Sequence, residues 1–175
     1  GEGQVYDSNR YALYGMLEQL GVDVLDMGVV RDEPAAVENA FTRAAAEADA
    51  VVTSGGVSVG DADYVQTTLE KMGSVGFWKV AMKPGRPIAF GRVGNALFFG
   101  LPGNPVSAMV TFYQLVQPAL RALAGRPDQG PPLTVTAVSG EALRKKPGRL
   151  HVIVEPPVDD AGGGLPSLDL AEYDK

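Results

Sequence analysis

Four short stretches carry the residue types best suited to chemistry: Arg31-Asp32-Glu33-Pro34, the run Ser54 to Asp63, Lys83-Pro84-Gly85-Arg86-Pro87, and Gly100-Leu101-Pro102-Gly103-Asn104-Pro105. In the second, Ser54-Gly55-Gly56-Val57-Ser58-Val59-Gly60 breaks an apolar run, and the paired glycines let main chain approach a ligand closely. Asp61 then offers an N-cap for a helix over Ala62–Met72. Strand, glycine loop and helix start in that order make an anion site. Asp61 and Asp63 would repel a bare phosphate, yet they suit a phosphate that brings a divalent cation, because hard cations take oxygen ligands. The same residues are also compatible with an ordinary strand-to-helix connection with a capping Asp, since the loop matches neither GxGxxG nor GxxxxGK[ST]. Lys83 and Arg86 place two positive charges on a rigid turn, which is either part of an anion site or a surface turn. Asn104 and Pro105 fit the cap and first turn of a helix, so a second glycine loop opens a second helix.

The elements that must position these stretches follow from periodicity. Asp7 or Ser8 caps a helix with Tyr11, Leu13, Tyr14, Leu17 and Leu20 on its apolar face, stopped by Gly21. Tyr11, Tyr14 and Trp78 read as packing residues. Val22 to Val30 reads as a strand, Pro34 to Glu47 as a helix opened by Pro, Ala50 to Thr53 as a buried strand, and Val75 to Met82 as another. Gly73 is expected to close the Ala62–Met72 helix. The alternation predicts a three-layer α/β/α domain with a mostly parallel sheet, whose ligands sit beyond the strand C-termini. Asp32, Gly55–Asp63 and Lys83 all fall at that edge. Ile88–Phe90 and Ala96–Phe99 flank Val93-Gly94-Asn95 as a hairpin expected to continue or flank the sheet. The helix Pro105–Ala124 is apolar nearly all round, with Pro118 expected to kink or break it. After the Gly- and Pro-rich linker 125–132, Leu133–Val138 and Leu150–Val154 alternate like strands. The reading is therefore two units, an α/β domain over 1–126 and a partial β module over 133–175 ending in an acidic tail.

Composition narrows the chemistry. The 175 residues contain no Cys and one His, His151, which removes thiolate chemistry, Ser-His-Asp triads and multi-histidine metal sites from this chain's own means. His151 and the basic turn Arg144-Lys145-Lys146 receive no role. A net charge of −6 argues against extended nucleic-acid or acidic-membrane binding, so an anionic ligand needs a local basic cluster. No apolar run approaches a bilayer span of about 20 residues.

The runs SGGVSVGDADYV, FWKVAMKPGRP and GLPGNPVSAMVTFYQLVQP, with GQVYDSNR and the RDEP turn, resemble the third domain of the molybdopterin molybdenumtransferase (MoeA) family, which includes the E domain of gephyrin. The resemblance covers about Gly3 to Gly125 and reaches more weakly into LRKKPGRL. It implies a MoaB/Mog-like molybdopterin-binding fold and a transferase that inserts molybdate into adenylylated molybdopterin (molybdopterin-AMP), with Mg²⁺-assisted loss of AMP. By resemblance, Asp32 and Asp63 match active-site acids and metal ligands, and Lys79 and Lys83 match basic residues facing the anionic substrate. Ser54, Gly55, Gly56, Ser58 and Gly60 form the first ligand-binding loop, and Pro102, Gly103, Asn104 and Pro105 form the second. The family's first strand and a TGDE-like acidic stretch precede GQVYDSNR, and its first two domains have no counterpart here. The chain is accordingly expected to be a fragment holding the ligand-binding half, inactive alone, with either a gap in the sheet or a replacement strand. The resemblance further implies a cytoplasmic homodimer, covering apolar surface on the Pro105–Ala124 helix, that takes substrate from an upstream molybdopterin adenylyltransferase. Other readings are an adenylyltransferase-like enzyme (whose loop usually reads GGTG), a non-catalytic gephyrin-like scaffold, and a nucleotide-binding regulatory module.

Overall fold

The computed structural model describes residues 8–55, 63–126, 148–154 and 168–170. Helix α1 (Ser8–Gln19) buries Leu13 and Met16, one turn apart, and ends at Gly21, whose positive φ of 69° closes it. Helix α2 (Pro34–Glu47) starts with Pro in its first turn and buries Val37, Phe41 and Ala44, a stripe at i, i+4 and i+7. Strand β1 (Ala50–Ser54) follows, then α3 (Asp63–Met72), which packs Val65, Leu69 and Met72 inward. Strands β2 (Gly73–Lys79), β3 (Met82–Lys83), β4 (Pro87–Val93) and β5 (Ala96–Leu101) come next. Helix α4 (Pro105–Thr111), a π-helical turn (Phe112–Val116) and α5 (Gln117–Leu123) run on without a break, and β6 (Leu150–Val154) and β7 (Leu168–Leu170) complete the described chain.

The main sheet has the order β1-β5-β4-β2. β1 pairs with β5 in parallel, whereas β4 is antiparallel to both β5 and β2, so β1, β5 and β2 share one direction. Their C-terminal residues Ser54, Leu101 and Lys79 therefore lie along one edge. Helices α2 and α3 cover one face, where Phe41 meets Phe98 edge-on at 5.6 Å and Val51, Ala89, Val93 and Ala96 join the core. Helices α1, α4 and α5 and the π turn cover the other, over Phe99, Leu101, Phe112 and Val116. The three α/β/α layers are as expected, but the sheet is mixed rather than mostly parallel, because the central β4–β5 hairpin makes β4 antiparallel to both its neighbours.

Several finer expectations are corrected. Val22 to Val30 is not a strand. Asp26 accepts a hydrogen bond from the Gly28 N–H at 2.9 Å, and Gly28 takes φ 71°, so a local turn interrupts the extended run that the β-branched residues favour. The segment forms no ladder with β1, and Leu25, Val29 and Val30 are exposed. β1 is thus an edge strand among the described residues. The hairpin β4–β5, expected to continue or flank the sheet, is part of it but occupies its centre, between β1 and β2. Gly73 does not close α3; it is the first residue of β2, and any Cβ there would collide with the Arg92 carbonyl across the ladder. The strand read over Val75–Met82 ends at Lys79, where the Val80 N–H turns to the Arg86 carbonyl. Met82–Lys83 leaves that sheet and pairs with Leu150–His151, seating Met82 against Val110 and Val152. Leu168–Leu170 is no tail either; it pairs with β6. Tyr11 and Trp78 are surface residues, 70% and 60% exposed, rather than packing ones, and Tyr14 is half-exposed. Leu133–Val138 and Arg144–Lys146 lie outside the described residues.

Pro118, expected to kink or break the helical run, does not break it but coincides with a change of its winding. It lacks the N–H that would bond the carbonyl of Gln114, and its ring crowds that carbonyl. The chain accommodates this by widening into the π turn Phe112–Val116 just before it.

Candidate functional site

The start of the first glycine loop, Ser54-Gly55, meets the second loop at the C-terminal edge of the sheet. The parallel register of β1 and β5 ends with Ser54 opposite Leu101, so both strands deliver their loops to one place. The Gly55 N–H bonds the Leu101 carbonyl at 3.1 Å, carrying the ladder one step into the loops. Gly55 Cα lies 3.8 Å from where a Cβ on Gly103 would stand. One side chain ties the pair from outside. Asn9, in the first turn of α1, donates from Nδ2 to Ser54 Oγ at 2.7 Å and to the Gly103 carbonyl at 2.8 Å. The Ser54 hydroxyl turns on to the Pro102 carbonyl at 3.5 Å.

The second loop leads directly into α4. Asn104 Oδ1 accepts from the Ser107 N–H at 3.1 Å and the Ser107 hydroxyl at 3.3 Å, the cap expected of Asn before a first-turn Pro. Leu101 and Pro102 are buried, whereas Gly103, Asn104 and Pro105 are exposed and accessible to a ligand. The Lys83–Arg86 turn rests on the same helix. Gly85, at φ 98°, lies against Thr111 and the Ser107 carbonyl, so close that a Cβ would stand 2.5 Å from Thr111 Oγ1. Lys83 and Arg86 are exposed on that turn. First loop, second loop, α4 and basic turn thus form one continuous edge.

An open groove of about 570 Å³ runs from this edge along the free side of β1. Its walls are Leu13 and Leu17 of α1, Val37 and Phe41 of α2, and the segment from Val24 to Asp32. Asp32 is exposed there, in the same groove as Ser54 and Gly55. The acid-bearing segment is tethered by Arg10, whose guanidinium binds Asp26 in a bidentate pair at 2.8 Å. That hydrogen bond, with the Gly28 N–H, lowers the Asp26 pKa to about 2.

The sequence-derived residues are therefore distributed unevenly. Asp32, Ser54 and Gly55 share the groove, and Pro102, Gly103, Asn104 and Pro105 adjoin it through Asn9. Lys83 reaches the assembly through Gly85 and α4. Lys79 ends β2, on the same edge but three strand spacings from β1, about 14 Å. Gly56, Ser58, Gly60 and Asp61 lie outside the described residues. Asp63 opens α3, and its side chain lies outside them as well. Among the described residues no three His, Asp or Glu side chains gather into a metal cage. Sequence reasoning missed Asn9 and the Arg10–Asp26 pair. Asn9 reads locally as part of a helix cap, and nothing nearby signals partners 45 and 94 positions away.

The chain is similar to known proteins. Residues 2–122 match the family model described as "Probable molybdopterin binding domain". The molybdopterin molybdenumtransferase of Haemophilus influenzae is 52% identical over 148 residues, covering 85% of this chain and 37% of that protein. The molybdopterin molybdenumtransferase of a Nostoc species is 40% identical over 145 residues, covering 81% of this chain and 33% of that one. The chain thus spans about a third of the length of these curated relatives. Among solved structures, the molybdopterin biosynthesis MoeA protein from Pyrococcus horikosii superposes with a TM-score of 0.64 at 35% identity, over 74% of this chain and 32% of that one.

Proposed function

The chain belongs to the family of probable molybdopterin binding domains, and from that premise we propose that it is the ligand-binding part of a molybdopterin molybdenumtransferase, active in molybdenum cofactor biosynthesis. Its substrates are adenylylated molybdopterin and molybdate, and AMP is the leaving group. The observation that carries this reading is the junction of the Ser54-Gly55 and Leu101–Asn104 loops at one sheet edge, with the Lys83–Arg86 turn joined to it through α4. Backbone groups and small residues suit close approach by a phosphorylated ligand. The substrate brings its own dithiolene sulfurs, so a chain without Cys is no obstacle.

Mg²⁺ is commonly held by one or two carboxylates together with substrate phosphates, so it needs no protein cage. Asp32, exposed in the groove beside Ser54 and Gly55, has the oxygen donor such an ion takes, and Asp63 is the second candidate. When bound, the ion neutralises phosphate charge as AMP leaves. Lys79 and Lys83 attract the anionic ligands. Val106, Met109, Leu115 and Leu123 leave apolar surface exposed on the helical run from α4 to α5, which supports a homodimer that covers it. The setting is cytoplasmic, downstream of a molybdopterin adenylyltransferase. Among the described residues no helix is long and apolar enough to cross a membrane.

Equilibrium binding separates the readings. Tighter binding of molybdopterin-AMP than of AMP alone supports the proposal. Preference for molybdopterin without its AMP favours an adenylyltransferase-like role. Indifference to all three ligands overturns the binding reading and leaves the scaffold role.

A further inference from the structure

We propose that Asn9 is a positioning residue: its carboxamide fixes the separation of the two glycine loops and so sets the shape of the ligand site, an inference that rests on the binding function proposed above. Both Nδ2 hydrogens are used, one on Ser54 Oγ and one on the Gly103 carbonyl. These acceptors belong to different loops, connected through the chain only by way of α3 and the four strands β2 to β5. A carboxamide has two donors on one nitrogen at a fixed angle, so one side chain spans the gap that a single-donor group would leave half made. The link is continued on the far side, since Ser54 passes its own proton toward the Pro102 carbonyl.

Asn9 Oδ1, the other end of the amide, is buried and has no hydrogen-bond partner among the described residues. Arg10, the next residue, reaches the opposite way to Asp26. The first turn of α1 thus holds the loops with one side chain and the Asp32-bearing segment with the next.

The test uses the full 175-residue chain and two variants, Asn9→Ala and Asn9→Asp. Asn9→Asp keeps the shape but replaces both donors with acceptors. Amide exchange at Gly55, whose N–H bonds Leu101, reports the junction without any ligand. Both variants are expected to raise Gly55 exchange about tenfold, with exchange at the buried Phe98 amide and the thermal midpoint little changed. Both are also expected to weaken molybdopterin-AMP binding about tenfold. Ser54→Ala combined with Asn9→Ala should be less than additive, because the two side chains share one bond. Unchanged Gly55 exchange in both variants overturns the inference. Faster exchange with unaltered affinity overturns the positioning role. If the unaltered chain binds neither molybdopterin-AMP nor AMP, the functional reading fails, and the exchange arm alone decides whether Asn9 sets the junction.

Discussion

Gly85→Ala is a sharp test of how the basic turn is held. At φ 98° the residue is in the left-handed region, where a Cβ costs about 1–2 kcal/mol. The added methyl would also stand 2.5 Å from Thr111 Oγ1 and 2.9 Å from Met82 Cε. Met82 is a flexible side chain and can shift its terminal methyl. Thr111 is completely buried and cannot, so overpacking adds about 1–3 kcal/mol. The sum, about 2–5 kcal/mol, is a large share of a typical domain's stability of about 5–15 kcal/mol. Urea denaturation followed by tryptophan fluorescence measures it, with Trp78 as the reporter. Adding Thr111→Ala should return about 1 kcal/mol or more of that loss, since it removes the atom in the way and a hydroxyl that has no partner among the described residues. A Gly85→Ala cost below about 1 kcal/mol, with no coupling to Thr111, would refute the claim that the turn is seated on α4.

Arg10→Met should raise the Asp26 titration midpoint from about 2 toward the ordinary carboxylate value, as read by carboxyl NMR. Because the folded pKa is the depressed one, the tether's contribution is present above about pH 4 and is lost as pH falls toward 2; an unmoved midpoint would assign the shift to the Gly28 N–H alone. Phe98→Ala removes a fully buried ring that meets Phe41 edge-on and should cost about 3–5 kcal/mol in urea denaturation. Lys83→Ala should weaken binding of molybdopterin-AMP, and the loss should shrink at high salt because the charge is exposed; a salt-independent loss would point to a packing role instead.

Much of the fold was legible because periodicity and punctuation agree. Pro34 opens α2 and Val37, Phe41 and Ala44 face inward, as the pattern requires. Asn104-Pro105 announced both the cap and the helix it starts. What misled was propensity without a partner. Val22, Val24, Val29 and Val30 favour a strand, but a strand exists only where a ladder accepts it, and Asp26 offers the backbone a turn instead. The central place of β4–β5 was also hidden, since a hairpin signal fixes the pairing of two strands and not their position in a sheet. At the site, the glycine loops and Asp32 were visible from composition and order. Asn9 was not, because its meaning lies wholly in contacts distant along the sequence.

The same unpaired segment has a consequence for the site. Helices α1 and α2 lie on opposite faces of the sheet, yet both line the groove beside β1. The groove therefore sits at the level of the sheet itself, where a further strand would pair with β1. With no ladder to hold it, the stretch that carries Asp32 is fixed near its middle by the Arg10–Asp26 pair and at its end by the start of α2. An exposed ion pair is a weak restraint, worth well under a packed strand. The junction of Ser54-Gly55 with Leu101–Gly103, in contrast, is held by the β1–β5 ladder and Asn9. On the proposed reading, the junction that meets the phosphorylated ligand is thus held more firmly than the segment that carries Asp32. If Asp32 has the cation role proposed above, affinity for the phosphorylated ligand should therefore persist here more fully than any cation-dependent turnover, in which Asp32 would stand at a fixed distance from Gly55.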